Sequence, residues 1–126
     1  MLLQQTTRLA APLGSPRKGY ERGMTVKLTV IYGNPTDSEA FEQHYQEVHL
    51  PLVQKVPNLQ RAEFAKVFPK EDGSPTPKYR TADLYFADYD TAVAALGSPE
   101  GGAAAKDAME LATGGVDFLL SDIEQS

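Results

Sequence analysis

From Thr25 onward, apolar and polar positions fall into short runs with two different periods. Residues 26–32 (VKLTVIY) are rich in β-branched side chains and end at Gly33-Asn34-Pro35, which predicts a strand closed by a turn. Thr36 and Glu39 have capping-box spacing, and Phe41, Tyr45, Val48 and Leu52 then share one helical stripe. Pro51 lacks an N–H and crowds the preceding turn, so the helix is expected to end or kink near His49, with Pro51 opening a short second turn. Residues 58–68 and 78–87 suit two more strands, made antiparallel neighbours by the KEDGSPTP loop between them. Asp88 or Asp90 caps a short helix through Val93 and Leu96 that stops at Gly97. Ser98-Pro99-Glu100 starts another, with Ala104, Ala108, Met109 and Ala112 inward, and residues 116–123 form a last strand.

The resulting order, βαββαβ, is that of a ferredoxin-like α+β fold. Right-handed crossovers place both helical regions on one face of a four-stranded antiparallel sheet and leave the other face bare. Apolar residues are expected on both faces: Val26, Leu28 and Val30 against Ile31, and Leu84 and Phe86 against Tyr79 and Tyr85. A bare face of that content calls for a second copy, so a two-fold homodimer packed sheet on sheet is predicted.

Composition narrows the function classes. With 126 residues the chain has room for one domain and a core that needs no cross-links. It contains no cysteine, which excludes disulfides, a thiolate nucleophile and Cys-based metal sites and fits a cytoplasmic location. No apolar run is long enough to span a bilayer or to serve as a secretory signal, so no membrane partner is expected. Residues 1–23 lack any sustained period and hold Pro12, Gly14, Pro16, Gly19 and Gly23; they read as a flexible extension, a leader or an upstream start, ahead of a body from Met24 to Ser126. Arg8, Arg17, Lys18 and Arg22 oppose only Glu21 there, a net of +3, so the body carries −8 of a chain total of −5. An acidic body argues against a nucleic-acid partner.

Both histidines, His44 and His49, lie on the first helix. At roughly 100° per residue they flank the buried stripe on opposite sides without facing each other, and no third ligand has metal spacing, so no metal site is predicted. His49 sits where Pro51 breaks the helix, one turn from Tyr45, and a histidine there can move a proton near neutral pH. It is the candidate catalytic residue; His44 reads as solvated or structural. Tyr32, Tyr45 and Tyr85 are candidate ligand-binding phenols, each also suited to filling a core, and Asp83 is the fourth candidate ligand-binding residue. Asp83 stands mid-strand between Ala82 and Leu84, where a carboxylate needs a polar cavity or a partner such as Arg61, Arg80 or a histidine, and a contact with His49 is one such pairing. No phosphate loop, dinucleotide fingerprint or serine elbow is present, and no cofactor is expected.

The segment FEQHYQEVHLPLVQKVP, residues 41–57, resembles the helix signature of the EthD family, an aromatic pair followed by His-x-Pro-Leu and a later Pro. ADLYFADYDTA, SPEGGAAAKDA and ATGGV resemble that family's third strand, split helix and entry to the last strand, so the likeness spans nearly all of residues 24–124. The resemblance implies the dimeric α+β barrel superfamily, whose members include proteins of ether degradation, polyketide cyclases and dehydratases, muconolactone isomerase, and cofactor-free or haem-linked monooxygenases. Fold does not choose among these. It also implies that His49 is the recurrent polar residue of the helix-to-sheet pocket, and that Leu50, where Gly is common, narrows the mouth. Two readings follow. One is a metal-free enzyme of ether or aromatic compound degradation, in which His49 moves a proton on a hydrophobic, cyclic or carbonyl-bearing molecule. The other is a carrier or accessory to an oxidase, with a monooxygenase as a further alternative.

Overall fold

Alternation along the first strand decides which way the sheet faces. β1 (Val26–Gly33) buries Val26, Leu28, Val30 and Tyr32 on one side and leaves Lys27, Thr29 and Ile31 half-buried on the other. The strand is central, pairing antiparallel with β3 (Lys78–Phe86) and with β4 (Val116–Asp122). β2 (Arg61–Lys66) pairs antiparallel with β3, so the order is β2-β3-β1-β4. The computed structural model describes residues 25–125; the extension expected over residues 1–23 lies outside them.

The buried face of the sheet is covered by α1 (Ser38–His44), α2 (Leu50–Gln54), α3 (Tyr89–Leu96) and α4 (Pro99–Leu111), completing the ferredoxin-like βαββαβ arrangement. Under them, Leu28 pairs with Leu84, Val30 with Ala82 and Val26 with Phe86. Fully burying each large side chain of this layer contributes about 1.5–3 kcal/mol. The helices answer with small residues, Ala92, Ala95, Ala104 and Ala108, which let them lie close to the sheet. Gly101 extends this logic, because a Cβ there would collide with the backbone of Ala95 and Leu96 where α4 crosses the end of α3.

Capping follows short polar side chains. Asp37, rather than Thr36, caps α1 by accepting from the Ala40 N–H, while the Thr36 N–H donates to the Thr113 hydroxyl. Asp88 caps α3 through the Thr91 N–H and Ser98 caps α4 through the Gly101 N–H.

Two stripes differ from the expected ones. Between α1 and α2 the helix widens into a π-turn, Tyr45–His49, in which the Leu50 N–H bonds to the Tyr45 carbonyl five residues back. That turn rotates Val48 outward, to 42% exposure, and brings His49 inward. Its cause is Pro51, whose missing N–H and bulky ring disrupt the regular i→i−4 ladder. In α4, Met109 is 57% exposed and Asp107 is buried instead, on the stripe of Ala104, Ala108 and Leu111.

The open face of the sheet is more polar than expected. Beside Ile31 and Leu119 it carries Lys27, Thr29, Arg61, Glu63, Asp83 and Tyr85. Tyr79 leaves this face at a β-bulge: the register steps from Tyr32↔Arg80 to Gly33↔Lys78, and both Tyr79 and Arg80 reach Glu42 on α1.

Candidate functional site

Phe41, Tyr45, His49 and Val53 recur every fourth residue, and over three successive turns a regular α-helix would carry such a row steadily around its axis. The π-turn corrects this drift, because it adds a residue to one turn. The result is a stack: the Phe41 and Tyr45 rings are 5.4 Å apart at 22°, and the Tyr45 and His49 rings 5.5 Å apart at 21°. Tyr32, at the end of β1, meets all three edge-on.

His49 is 6% exposed and both its ring nitrogens are engaged. Nδ1 lies 2.9 Å from Asp107 Oδ2, and Nε2 lies 3.3 Å from the Tyr32 hydroxyl. A carboxylate can only accept, so the His49 proton sits on Nδ1 and the lone pair on Nε2. The Tyr32 O–H then donates to Nε2. Burial pushes the Tyr32 phenol far above its ordinary value, with the nearby Tyr45 and Asp107 adding to the effect, so Tyr32 is a hydrogen-bond donor at any physiological pH. For His49, burial is the largest influence and lowers its pKa, while the Asp107 hydrogen bond and charge oppose the fall.

His49 and Tyr32 line a cavity of about 350 Å³ between the sheet and α4. Its walls are otherwise apolar, from Leu28, Val30 and Val53 within to Phe64, Met109 and Phe118 toward the outside. Among the described residues lining it, only Tyr32 and His49 carry side-chain oxygen or nitrogen. Such a cavity, with a few convergent polar groups, is the form that small-molecule sites take. Leu50 packs against the core and does not line this cavity.

The other expected site residues lie elsewhere. Tyr45 is the middle of the ring stack, with the Arg80 guanidinium 4.7 Å over its face, and burial, the leading influence, raises its phenol pKa to about 12. Its hydroxyl is buried without a hydrogen-bond partner among the described residues. Asp83 and Tyr85 stand on the opposite face of the sheet. Asp83 accepts from the Thr29 hydroxyl at 2.6 Å and lies 3.6 Å from the Lys27 ammonium, and Tyr85 donates to Glu63 at 2.8 Å. The carboxylate that meets His49 is therefore Asp107, not Asp83. His44 joins the same carboxylate, with Nε2 2.7 Å from Asp107 Oδ1. Among the described residues no group of three or more His, Cys, Asp and Glu side chains is arranged to hold a metal, and no helix is long and apolar enough to cross a membrane.

Comparison with known proteins places this geometry in a family. The EthD domain model matches residues 34–115. An uncharacterized 11.0 kDa protein of the thcB–thcC intergenic region of Rhodococcus erythropolis is 41% identical over 98 residues, which cover 78% of this chain and 94% of that one. Among solved structures, the chain is similar to an ethyl tert-butyl ether D (EthD) family protein from Bacillus halodurans C-125, with 31% identity, a TM-score of 0.73, and coverage of 78% of this chain and 97% of the other. It shares its fold with the hydroxynitrile lyase from Passiflora edulis at 11% identity and a TM-score of 0.68, over 83% and 98% of the two chains.

Proposed function

The chain belongs to the EthD family, and from that premise we propose that it is a small homodimeric enzyme that moves a proton on a neutral, hydrophobic, carbonyl-bearing molecule held between helices and sheet. The observation that carries this reading is the pairing, at the wall of an apolar cavity, of an unprotonated imidazole nitrogen with a phenol that stays protonated. On binding, the carbonyl oxygen takes over the Tyr32 hydrogen bond and so frees the Nε2 lone pair, the adjacent C–H loses its proton to His49 Nε2, and the resulting enolate is stabilised by the Tyr32 hydrogen bond. Asp107 faces the Nδ1–H and stabilises the imidazolium, which then returns its proton to carbon or to oxygen. Among the described residues lining the cavity there is no Lys or Arg, so none of them compensates a carboxylate or phosphate on the ligand.

The experiment is deuterium incorporation alpha to the carbonyl of cyclohexanone and 2-tetralone in heavy water, followed by NMR. The wild-type protein is expected to accelerate incorporation, and His49→Ala to lose about 10²–10⁴-fold of that acceleration while still binding ketone. Binding without exchange in the wild type would replace the enzyme by the carrier reading.

The dimer forms through the open sheet face, where a second copy would cover Ile31 and Leu119 and meet the charges of Lys27 and Arg61 with those of Glu63 and Asp83. Sedimentation equilibrium is expected to give twice the chain mass; a single-chain mass at micromolar concentration would remove the dimer.

A further inference from the structure

His44 has no part in the chemistry above, yet it is built into it. Asp107 is 8% exposed and its two oxygens go to two different imidazoles, Oδ1 to His44 Nε2 and Oδ2 to His49 Nδ1. Because a carboxylate only accepts, both facing nitrogens carry hydrogen. A buried carboxylate with a single partner could turn about its own bonds and offer either oxygen, or neither, in the direction of that partner. Held at both oxygens it has one orientation.

The backbone is shaped for this arrangement. In a regular helix His44 and His49 point roughly 140° apart, and no single carboxylate could reach both. In the π-turn, residues five apart come into line, and the two rings converge on α4. His44 also sits at the outer end of the group. Its side chain is 40% exposed and borders a separate surface groove of about 270 Å³, whose other polar lining residues are Thr36, Asp37, Glu110 and Thr113.

We propose that His44 is a positioning residue for the base: by holding Asp107 Oδ1 it keeps the carboxylate aimed at His49 and thereby fixes the tautomer that leaves Nε2 unprotonated. The inference rests on His49 being the base, but it concerns a state of the imidazole that exists without substrate. The test can therefore be separated from the test of the reaction.

The chain has two histidines, so ¹⁵N-histidine labelling gives a two-ring spectrum. In the wild type the ring nitrogen shifts are expected to show His49 protonated at Nδ1 and bare at Nε2. His44→Leu removes the donor and is expected to give a mixture of His49 tautomers and about tenfold faster exchange of the Nδ1 proton with water. His44→Gln, whose carboxamide can donate to the same oxygen, is expected to restore both. A folded His44→Leu protein with the wild-type tautomer and exchange rate overturns the proposal. So does a His44→Gln protein with mixed tautomers, and that arm decides the matter should the leucine variant not fold. Failure of ketone exchange in the wild type would count against the reaction and leave this result standing.

Discussion

Burial and Asp107 pull the basicity of His49 in opposite directions, and burial is the stronger. Its pKa in the folded protein therefore lies below the ordinary value of 6.5. The unfolded chain binds a proton near pH 6.5 that the native His49 still refuses, so this residue's contribution to stability is constant above that pH and falls as the solution is acidified toward the native pKa. Turnover by the neutral base should likewise persist through pH 6.5 and decline only below it. A pH profile of ketone exchange measures this, and an acid limb centred above 6.5 would show that Asp107, not burial, governs the ring. His49 and Tyr32 could be picked out in the sequence because a strand end and a helix break bring such residues toward one opening. Asp107 also left a signal, since Ala104, Asp107, Ala108 and Leu111 have the i, i+3, i+4, i+7 spacing of an inward stripe. Asp83 had no such signal: its partners Thr29 and Lys27 lie on β1, and the strand register that brings them near is not written in any local pattern.

Pro51 gives the break in the first helix a position but not a form. From the proline alone an end or a kink is expected, whereas the chain absorbs the lost hydrogen bond by widening one turn and continuing. The widened turn changes which residues face inward, exchanging Val48 for His49, and so brings His49 into the candidate site. Pro51→Ala restores the N–H and permits a regular helix. It is expected to alter stability by less than about 1 kcal/mol, yet to slow ketone exchange by about 10²-fold through misplacement of the imidazole. Thermal melting together with the exchange assay separates the two effects; unchanged exchange would mean that the π-turn does not depend on the proline. The β-bulge in β3 acts similarly on the strand side. It turns Tyr79 and Arg80 together onto Glu42, whose pKa falls to about 2 chiefly through the Arg80 hydrogen bonds, and this pins α1 to the sheet beneath the ring stack.

At the scale of the molecule, strand periodicity and turn residues were enough to give the element order, and element order gives the sheet topology and the side on which the helices lie. Character of the open face was not legible in the same way, because the bulge removes Tyr79 from it and cross-strand neighbours supply its charges. Among the concavities of the described residues, the apolar cavity under α4 contrasts with a polar groove on the open face beside Lys27, Arg61 and Tyr85. The proposed ligand belongs in the apolar cavity. Chemical-shift mapping of the ¹⁵N,¹³C-labelled protein with 2-tetralone tests that assignment most directly. Shifts centred on Tyr32, His49, Phe64, Ala104 and Phe118 are the expected result, and shifts centred on Arg61, Asp83 and Tyr85 with the His49 ring unmoved would contradict it.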